Sequence, residues 1–129
     1  MKIFTLRLGP EQDLRKELDK FTKENKVQAG FIITCVGSLK QAILRYADME
    51  EGTELTGNFE IVSLVGTLSQ DGSHLHAVIS DETGKTVGGH VKKGCIIDTT
   101  VEIVIGELED RKFTRDMDEK TGYKELKIK

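Results

Sequence analysis

The sequence contains no tryptophan, one proline and only 5% aromatic residues. It has two cysteines, Cys35 and Cys95, which lie in apolar, strand-like segments and do not form a C-x-x-C pair. A disulfide-dependent miniprotein is excluded, because a chain of 129 residues has room for a core of its own. The apolar surroundings favour buried thiols over a redox or nucleophilic role. We expect two buried, reduced thiols that take no part in the chemistry of the protein.

Long hydrophobic runs are also missing. The longest apolar stretch is too short to cross a bilayer. Near the start of the chain, the charged Arg7 interrupts the apolar residues before the core of a signal peptide can form. These observations predict a cytoplasmic protein that does not associate with a membrane.

An excess of positive charge is the third feature that the sequence lacks. Nineteen lysines and arginines stand against 22 aspartates and glutamates, for a formal net charge of −3. Duplex binding depends on a basic surface that releases counterions from the phosphates, so direct DNA binding is not expected. The glycine-rich motifs of phosphate loops, dinucleotide sites and serine hydrolases are absent as well, which leaves those functions without support.

The residues that are present predict one domain over residues 1–129. A strand over 3–8 is followed by one helix that begins near Pro10 and places Leu14, Leu18 and Phe21 on one face. Further strand-like segments cover 29–39, 41–47, 59–68, 75–80, 86–91 and 96–105, and a loop is predicted over 49–57. The predicted class is α+β, with a mostly antiparallel sheet packed against one main helix. Because the hydrophobic content is only 37%, subunits of an oligomer are expected to bury further surface.

All three histidines of the chain, His74, His76 and His90, fall within one predicted hairpin. Residues two apart on a strand point to the same face, so His74 and His76 project together. Leu75 and Ala77 then face the opposite, apolar side.

The turn of this hairpin determines where His90 lies. Residues 82–84 fit a three-residue loop that ends in a left-handed glycine and pairs Asp81 with Lys85. Counting back from that pair places His76 directly opposite His90. A four-residue loop would turn His90 to the other face, so the predicted cluster depends on this turn.

Three neutral imidazoles that converge on one point suit Zn²⁺ best, with Cu, Ni, Co or Fe as alternatives. The sequence leaves the fourth ligand open. Asp98 and Glu102 share one face of the next predicted strand, and either is a candidate ligand or an acceptor for an imidazole N–H. Water is the other candidate. A carboxylate in the fourth position would close the site and make the metal structural, whereas water would leave the site open to a ligand.

Several segments together resemble the plant and prokaryote conserved (PPC) domain family over nearly the whole chain. The segments are Ala29-Gly30-Phe31, residues 36–39, 42–45 and 57–69, His74-Leu75-His76 and Gly88-Gly89-His90-Val91. The resemblance implies a curved, mostly antiparallel sheet packed with a helix, a homotrimer, and a metal site from histidines that match His74, His76 and His90. It also implies the description "DNA-binding", because in land plants the domain follows AT-hook segments. This chain contains no Arg-Gly-Arg-Pro hook.

The main hypothesis is therefore a homotrimeric PPC-domain protein with a three-histidine zinc site. One alternative is a metal-dependent enzyme that acts on an unknown small molecule, with Glu102 or Glu60 as proton acceptor. Another is a DNA-associated or protein-interaction module without catalysis. A cupin-like metalloenzyme fits less well, because the histidine spacing differs and the second cupin motif needs a proline that is missing here.

Overall fold

The computed structural model describes residues 1–129 and contains one helix and eight strands. The elements in chain order are β1 (Lys2–Leu8), α1 (Leu14–Glu24), β2 (Gly30–Arg45), β3 (Thr53–Ser69), β4 (Gly72–Ser80), β5 (Thr86–Val91), β6 (Ile96–Glu107), β7 (Phe113–Met117) and β8 (Lys124–Ile128). The helix has 11 residues, and no helix of the structure is long and apolar enough to span a bilayer.

Six strands form one antiparallel sheet in the order β1-β6-β2-β3-β4-β5. The end of β2 also pairs with β5, through Leu44 with Val91 and Arg45 with His90. Strands β2 to β5 therefore close on themselves, and the sheet is strongly curved. Strands β7 and β8 form a separate two-stranded sheet, which we call the C-terminal hairpin. The predicted class, a curved and mostly antiparallel sheet with one main helix, is confirmed.

Several strands differ in length from the prediction. The segments 29–39 and 41–47 form the single strand β2, whose pairing shifts at a bulge between Leu39 and Gln41. The predicted loop over 49–57 is wrong in its second half, because β3 already begins at Thr53 and pairs with Leu44. Local composition favoured a loop there. The neighbouring strand β2, however, offers backbone hydrogen-bond partners, which even a charged segment can use to form a strand.

The helix begins four residues later than Pro10 predicts. Asp13 is its N-cap, and the Asp13 carboxylate accepts a hydrogen bond from the Lys16 backbone N–H at 3.0 Å. The other Asp13 oxygen accepts from the Gly94 N–H at 2.7 Å, which ties the helix start to the turn before β6. The predicted stripe is confirmed in part: Leu14 and Leu18 are fully buried, and Phe21 packs against the core while it remains partly exposed.

One hydrophobic core lies between α1 and one face of the sheet. Its largest fully buried members include Leu14, Leu18, Leu39, Leu44, Leu68, Leu75, Ile79, Ile97 and Ile105. Both cysteines are free thiols; Cys95 is buried and Cys35 only half-buried. Burial raises the pKa of Cys35 to about 12 and also raises the pKa of Cys95, so neither thiol is a reactive nucleophile.

Candidate metal centre

The histidine hairpin has the predicted register. His76 lies opposite His90, and the pairs continue from Ala77 with Gly89 to Ser80 with Thr86. The exposed positions of β4 alternate with buried ones, so His74 and His76 share the outer face while Leu75 and Ala77 enter the core. This part of the site follows from the sequence alone.

The turn that sets this register is built by Asp81 and Gly84. The Asp81 carboxylate accepts hydrogen bonds from the Thr83 N–H at 2.9 Å and the Lys85 N–H at 3.1 Å. These contacts with Thr83 and Lys85 lower the pKa of Asp81, so the carboxylate is charged and accepting at neutral pH. Gly84 has a φ of 84°, the left-handed conformation expected for the last residue of the loop.

The three imidazoles converge on one point. One ring nitrogen from each of His74, His76 and His90 lies within 4.8 Å of the other two. The ring centroids are 4.9 Å apart for His74 and His76, 5.1 Å for His74 and His90, and 5.7 Å for His76 and His90. Nitrogens bound to one zinc ion at about 2.0–2.1 Å lie roughly 3.3 Å apart in a tetrahedral site, so small side-chain rotations suffice for ligation.

The protein holds the imidazoles of His74 and His90 in the form that binds a metal. Burial, followed by the neighbouring His74 and the cation of Arg15, lowers the pKa of His90 to about 4. Burial and the neighbouring His76 also lower the pKa of His74, and Arg115 acts in the same direction. Both rings are therefore neutral at pH 7, with a lone pair free for a metal.

Arg15 of α1 forms hydrogen bonds to both strands that carry the histidines, β4 and β5. Its Nη1 donates to the Val91 carbonyl at 2.6 Å, and its Nη2 donates to the Ser73 carbonyl at 3.0 Å. Ser73 precedes His74 and Val91 follows His90, so one guanidinium positions the backbone beside two of the three imidazoles. The same Nη1 lies 3.4 Å from His90 Nε2, and the buried His90 Nδ1 has no hydrogen-bond partner within the protein. An imidazole with an unsatisfied buried nitrogen fits a group that binds a ligand from outside the chain.

The proposed fourth ligands do not join this cluster within the chain. Glu102 pairs with Val36 on β2, whereas His90 pairs with Arg45 at the end of the same strand. These positions are separated by about 30 Å of strand, because a strand rises roughly 3.3 Å per residue. Asp98 lies exposed on β6 beside the middle of β2, and it is not part of the ligand group. Local alternation correctly placed both carboxylates on an exposed face, but the order of the strands carries that face away from the histidines.

Glu60 is not in the cluster either. It pairs with Ser80 at the end of β4 that is remote from His74 and with Ser38 on β2. Within one chain, none of the three carboxylates considered from the sequence is grouped with the imidazoles.

The structure instead brings residues of the C-terminal hairpin to the histidines. A cavity of about 900 Å³ has His74 and His90 in its wall together with Arg115, Lys124 and Glu125. A second cavity of about 420 Å³ lies on the other side of His90, beside His76, Val65 and Val78. Sequence reasoning missed Arg115, Lys124 and Glu125, because the polar C-terminal segment carries no motif and lies far from His74 along the chain.

Comparison with known proteins places the chain in a family. Residues 1–109 match the Plants and Prokaryotes Conserved (PCC) domain. The chain is also 46% identical over 128 residues to proteins named bifunctional protein GlmU from two Synechococcus strains. The match covers 99% of this chain but only 20% to 21% of those relatives, so the chain spans about a fifth of their length.

Solved structures share the fold over the whole chain. A hypothetical protein from Salmonella enterica is 44% identical, with a TM-score of 0.97 over 99% of this chain and 93% of its own. A metal-containing protein from Archaeoglobus fulgidus is 27% identical, with a TM-score of 0.85 over 98% of this chain and 94% of its own. A candidate DNA-binding protein from Bacteroides thetaiotaomicron is 20% identical, with a TM-score of 0.86 over 97% and 91%, and shows the fold alone.

The family match, the curved sheet with its single helix and the three histidines on adjacent strands agree with the resemblance seen in the sequence. The chain belongs to the Plants and Prokaryotes Conserved domain family.

Proposed function

We propose that this chain is a metal-binding protein in which His74, His76 and His90 hold one Zn²⁺ ion. The observation that carries the proposal is the convergence of three imidazole nitrogens to within 4.8 Å on two directly paired strands. Neutral nitrogen donors of this kind favour zinc among the common biological metals, and Cu, Ni, Co and Fe are the alternatives.

A relative supports the choice of a metal. The Archaeoglobus protein that shares the fold at 27% identity is described as metal-containing. The lowered pKa values of His74 and His90 act in the same direction, since protons compete less with a metal for these nitrogens.

The fourth coordination position is open in this proposal. No carboxylate or thiol of the chain belongs to the ligand group, which leaves room for water or a small-molecule ligand. A metal-dependent enzyme is the second candidate function, because a cavity of about 900 Å³ borders His74 and His90. When bound, zinc supplies Lewis acidity and lowers the pKa of a coordinated water.

We further propose that the protein is a single-domain homotrimer of the cytoplasm. An exposed apolar patch supports association; it comprises Ile33 and Val36 of β2, Val62 and Val65 of β3, and Val78 of β4. Apolar side chains concentrated on three neighbouring strands are typical of a surface that another subunit covers. Two free cysteines are compatible with the reducing cytoplasm.

A DNA-associated module without catalysis has less support. The net charge of −3 opposes phosphate binding, and the candidate DNA-binding relative shares only the fold. A protein-interaction role through the apolar patch remains compatible with the metal site.

Elemental analysis of untagged protein tests the proposal. We expect close to one zinc per chain in the wild type and a loss of at least about 90% in the His74→Ala/His76→Ala/His90→Ala variant, since no other histidine can replace these ligands. Glu102→Gln and Asp98→Asn are matched controls that should retain the metal.

The alternatives give different results. An absence of metal in the wild type, after growth in zinc-supplemented medium, would exclude the site. Loss of metal in Glu102→Gln alone would indicate that the Glu102 carboxylate of a neighbouring subunit is a ligand. Circular dichroism of the triple variant distinguishes loss of the site from loss of the fold.

A further inference from the structure

The C-terminal hairpin lies outside the residues that match the family and packs beside the histidines. The match ends at residue 109, whereas β7 begins at Phe113. Phe113 is buried, and its N–H donates to the Gln28 carbonyl at 2.9 Å. The Arg115 N–H donates to the Asp71 carboxylate at 2.9 Å, beside the turn that leads into β4. The hairpin is therefore held in a defined place, next to His74.

This packing positions Arg115 at the metal centre. Its Nη2 donates to Thr67 Oγ1 at 2.8 Å, and Thr67 is paired with His74 across β3 and β4. A single bond to a hydroxyl leaves most of the five N–H donors of a guanidinium free. Arg115 thus presents unused N–H donors beside His74.

Further cations line the same cavity. Arg45 and Lys92 lie on the side of His90, and Lys124 lies on the C-terminal hairpin beside Arg115. Neither these three cations nor Arg115 has a carboxylate within 4.0 Å. Arg45 donates to the Met49 carbonyl at 3.1 Å, which fixes one end of its side chain and leaves its charge uncompensated.

Carboxylates are fewer than cations in the wall of the cavity. Asp48, Glu50 and Glu125 line it, against the four cations Arg45, Lys92, Arg115 and Lys124. Histidine ligands carry no negative charge, so an anion that joins a divalent metal here would offset its charge of +2.

We propose that the cavity between the histidines and the C-terminal hairpin binds a small oxyanion, a carboxylate or a phosphate, that completes the coordination of the metal and contacts Arg115 and Lys124. This inference rests on the proposed metal site. Arginine forks match the oxygens of such groups, and lysine adds charge without a fixed geometry. The C-terminal hairpin is then the element that determines which anion is accepted.

Titration calorimetry on zinc-loaded protein provides the test, with inorganic phosphate and malonate as the two probes. We expect at least one probe to bind. Arg115→Gln should raise the Kd about tenfold or more, and Lys124→Gln should raise it several-fold, because each removes a charge-assisted contact. Lys127→Gln is the matched control, since Lys127 is also exposed on β8 but does not line the cavity. Its Kd should equal that of the wild type.

Zinc content, measured in every sample, separates the two proposals. Wild-type protein that contains zinc but binds neither probe would overturn the anion site and leave the metal site standing. The same conclusion follows if Arg115→Gln and Lys124→Gln both bind as tightly as the wild type. Wild-type protein that holds no zinc would instead overturn the metal site. Lys124→Gln removes no hydrogen bond that holds the hairpin, so its result stands even if Arg115→Gln loosens that element. The stronger of the two probes identifies the class of anion.

Discussion

His90 has the most perturbed imidazole of the site, and its surroundings explain the perturbation. It is half-buried, faces the Arg15 guanidinium at 3.4 Å, and has an orphaned Nδ1. Burial and nearby cations both penalise its charged form. A histidine in this environment stays neutral at pH 7, so its nitrogen lone pair is available to a metal.

The metal-free protein should lose stability as the pH falls through this titration. The pKa values of His74 and His90 are lowered in the folded protein, to about 4 for His90, whereas a histidine in the unfolded chain has a pKa of about 6.5. Between these values the unfolded chain binds more protons, so the stabilisation is complete above about pH 6.5 and declines toward pH 4. Urea unfolding of chelator-treated protein at pH 7.5 and pH 5 measures the change.

His90→Gln isolates the histidine contribution from that of the carboxylates. Its stability should fall less between the two pH values than that of the wild type, because glutamine does not titrate. Equal losses in the two proteins would show that the lowered pKa of His90 contributes nothing to acid sensitivity.

At the scale of elements, the start of α1 is coupled to the turn before β6. Asp13 caps the helix through one carboxylate oxygen and accepts from the Gly94 N–H through the other. The same helix carries Arg15, which holds the carbonyls of Ser73 and Val91. The helix therefore supports the histidine strands as well as the core.

Asp13→Ala should destabilise the protein by about 1–2 kcal/mol, since an N-cap alone contributes about 1 kcal/mol and the Gly94 contact is lost too. Chemical unfolding at pH 7 gives the value. Lys20→Ala, at an exposed position within the same helix, is the control and should change the stability by less than about 0.5 kcal/mol. A cost for Asp13→Ala no larger than that of the control would contradict the capping role.

At the scale of the whole molecule, the curved sheet places the apolar patch next to the metal centre. Val65 is paired with His76, and Val65 and Val78 both border the cavity beside His76. A subunit that covers the patch therefore also covers one side of the histidines. The proposed subunit interface and the proposed metal site therefore lie on neighbouring surfaces of the same sheet.

Light scattering after size exclusion should give a mass of three times the 14.4 kDa chain. Val36→Lys/Val62→Lys should shift this mass toward that of the monomer, because an interface that buries two unpaired charges is strongly disfavoured. Ile128→Lys introduces one lysine at an exposed apolar position on β8, outside the patch, and should leave the mass unchanged. A monomeric wild type at micromolar concentration would contradict the trimer, and a double variant that stays trimeric would show that the apolar patch is not the subunit interface.

The sequence by itself determined the histidine hairpin. A strict alternation of exposed and buried residues, Asp81 and Gly84 at the turn, and the count of residues between them were enough to place His76 opposite His90. It also determined the class of fold, because these signals are local and have the period of a strand or a helix. The predicted start of the helix was wrong, because a contact between Asp13 and Gly94, which are far apart in the sequence, helps to set it.

Only the tertiary structure decided what surrounds the histidines. Strand order carried Asp98 and Glu102 away from the site. The packing of α1 and of the C-terminal hairpin against the sheet brought Arg15 and Arg115 to it. Contacts between residues far apart in sequence leave no periodic pattern, because each depends on the path of the chain between them. The imidazoles follow from local alternation, whereas the charges around them follow from the topology of the sheet.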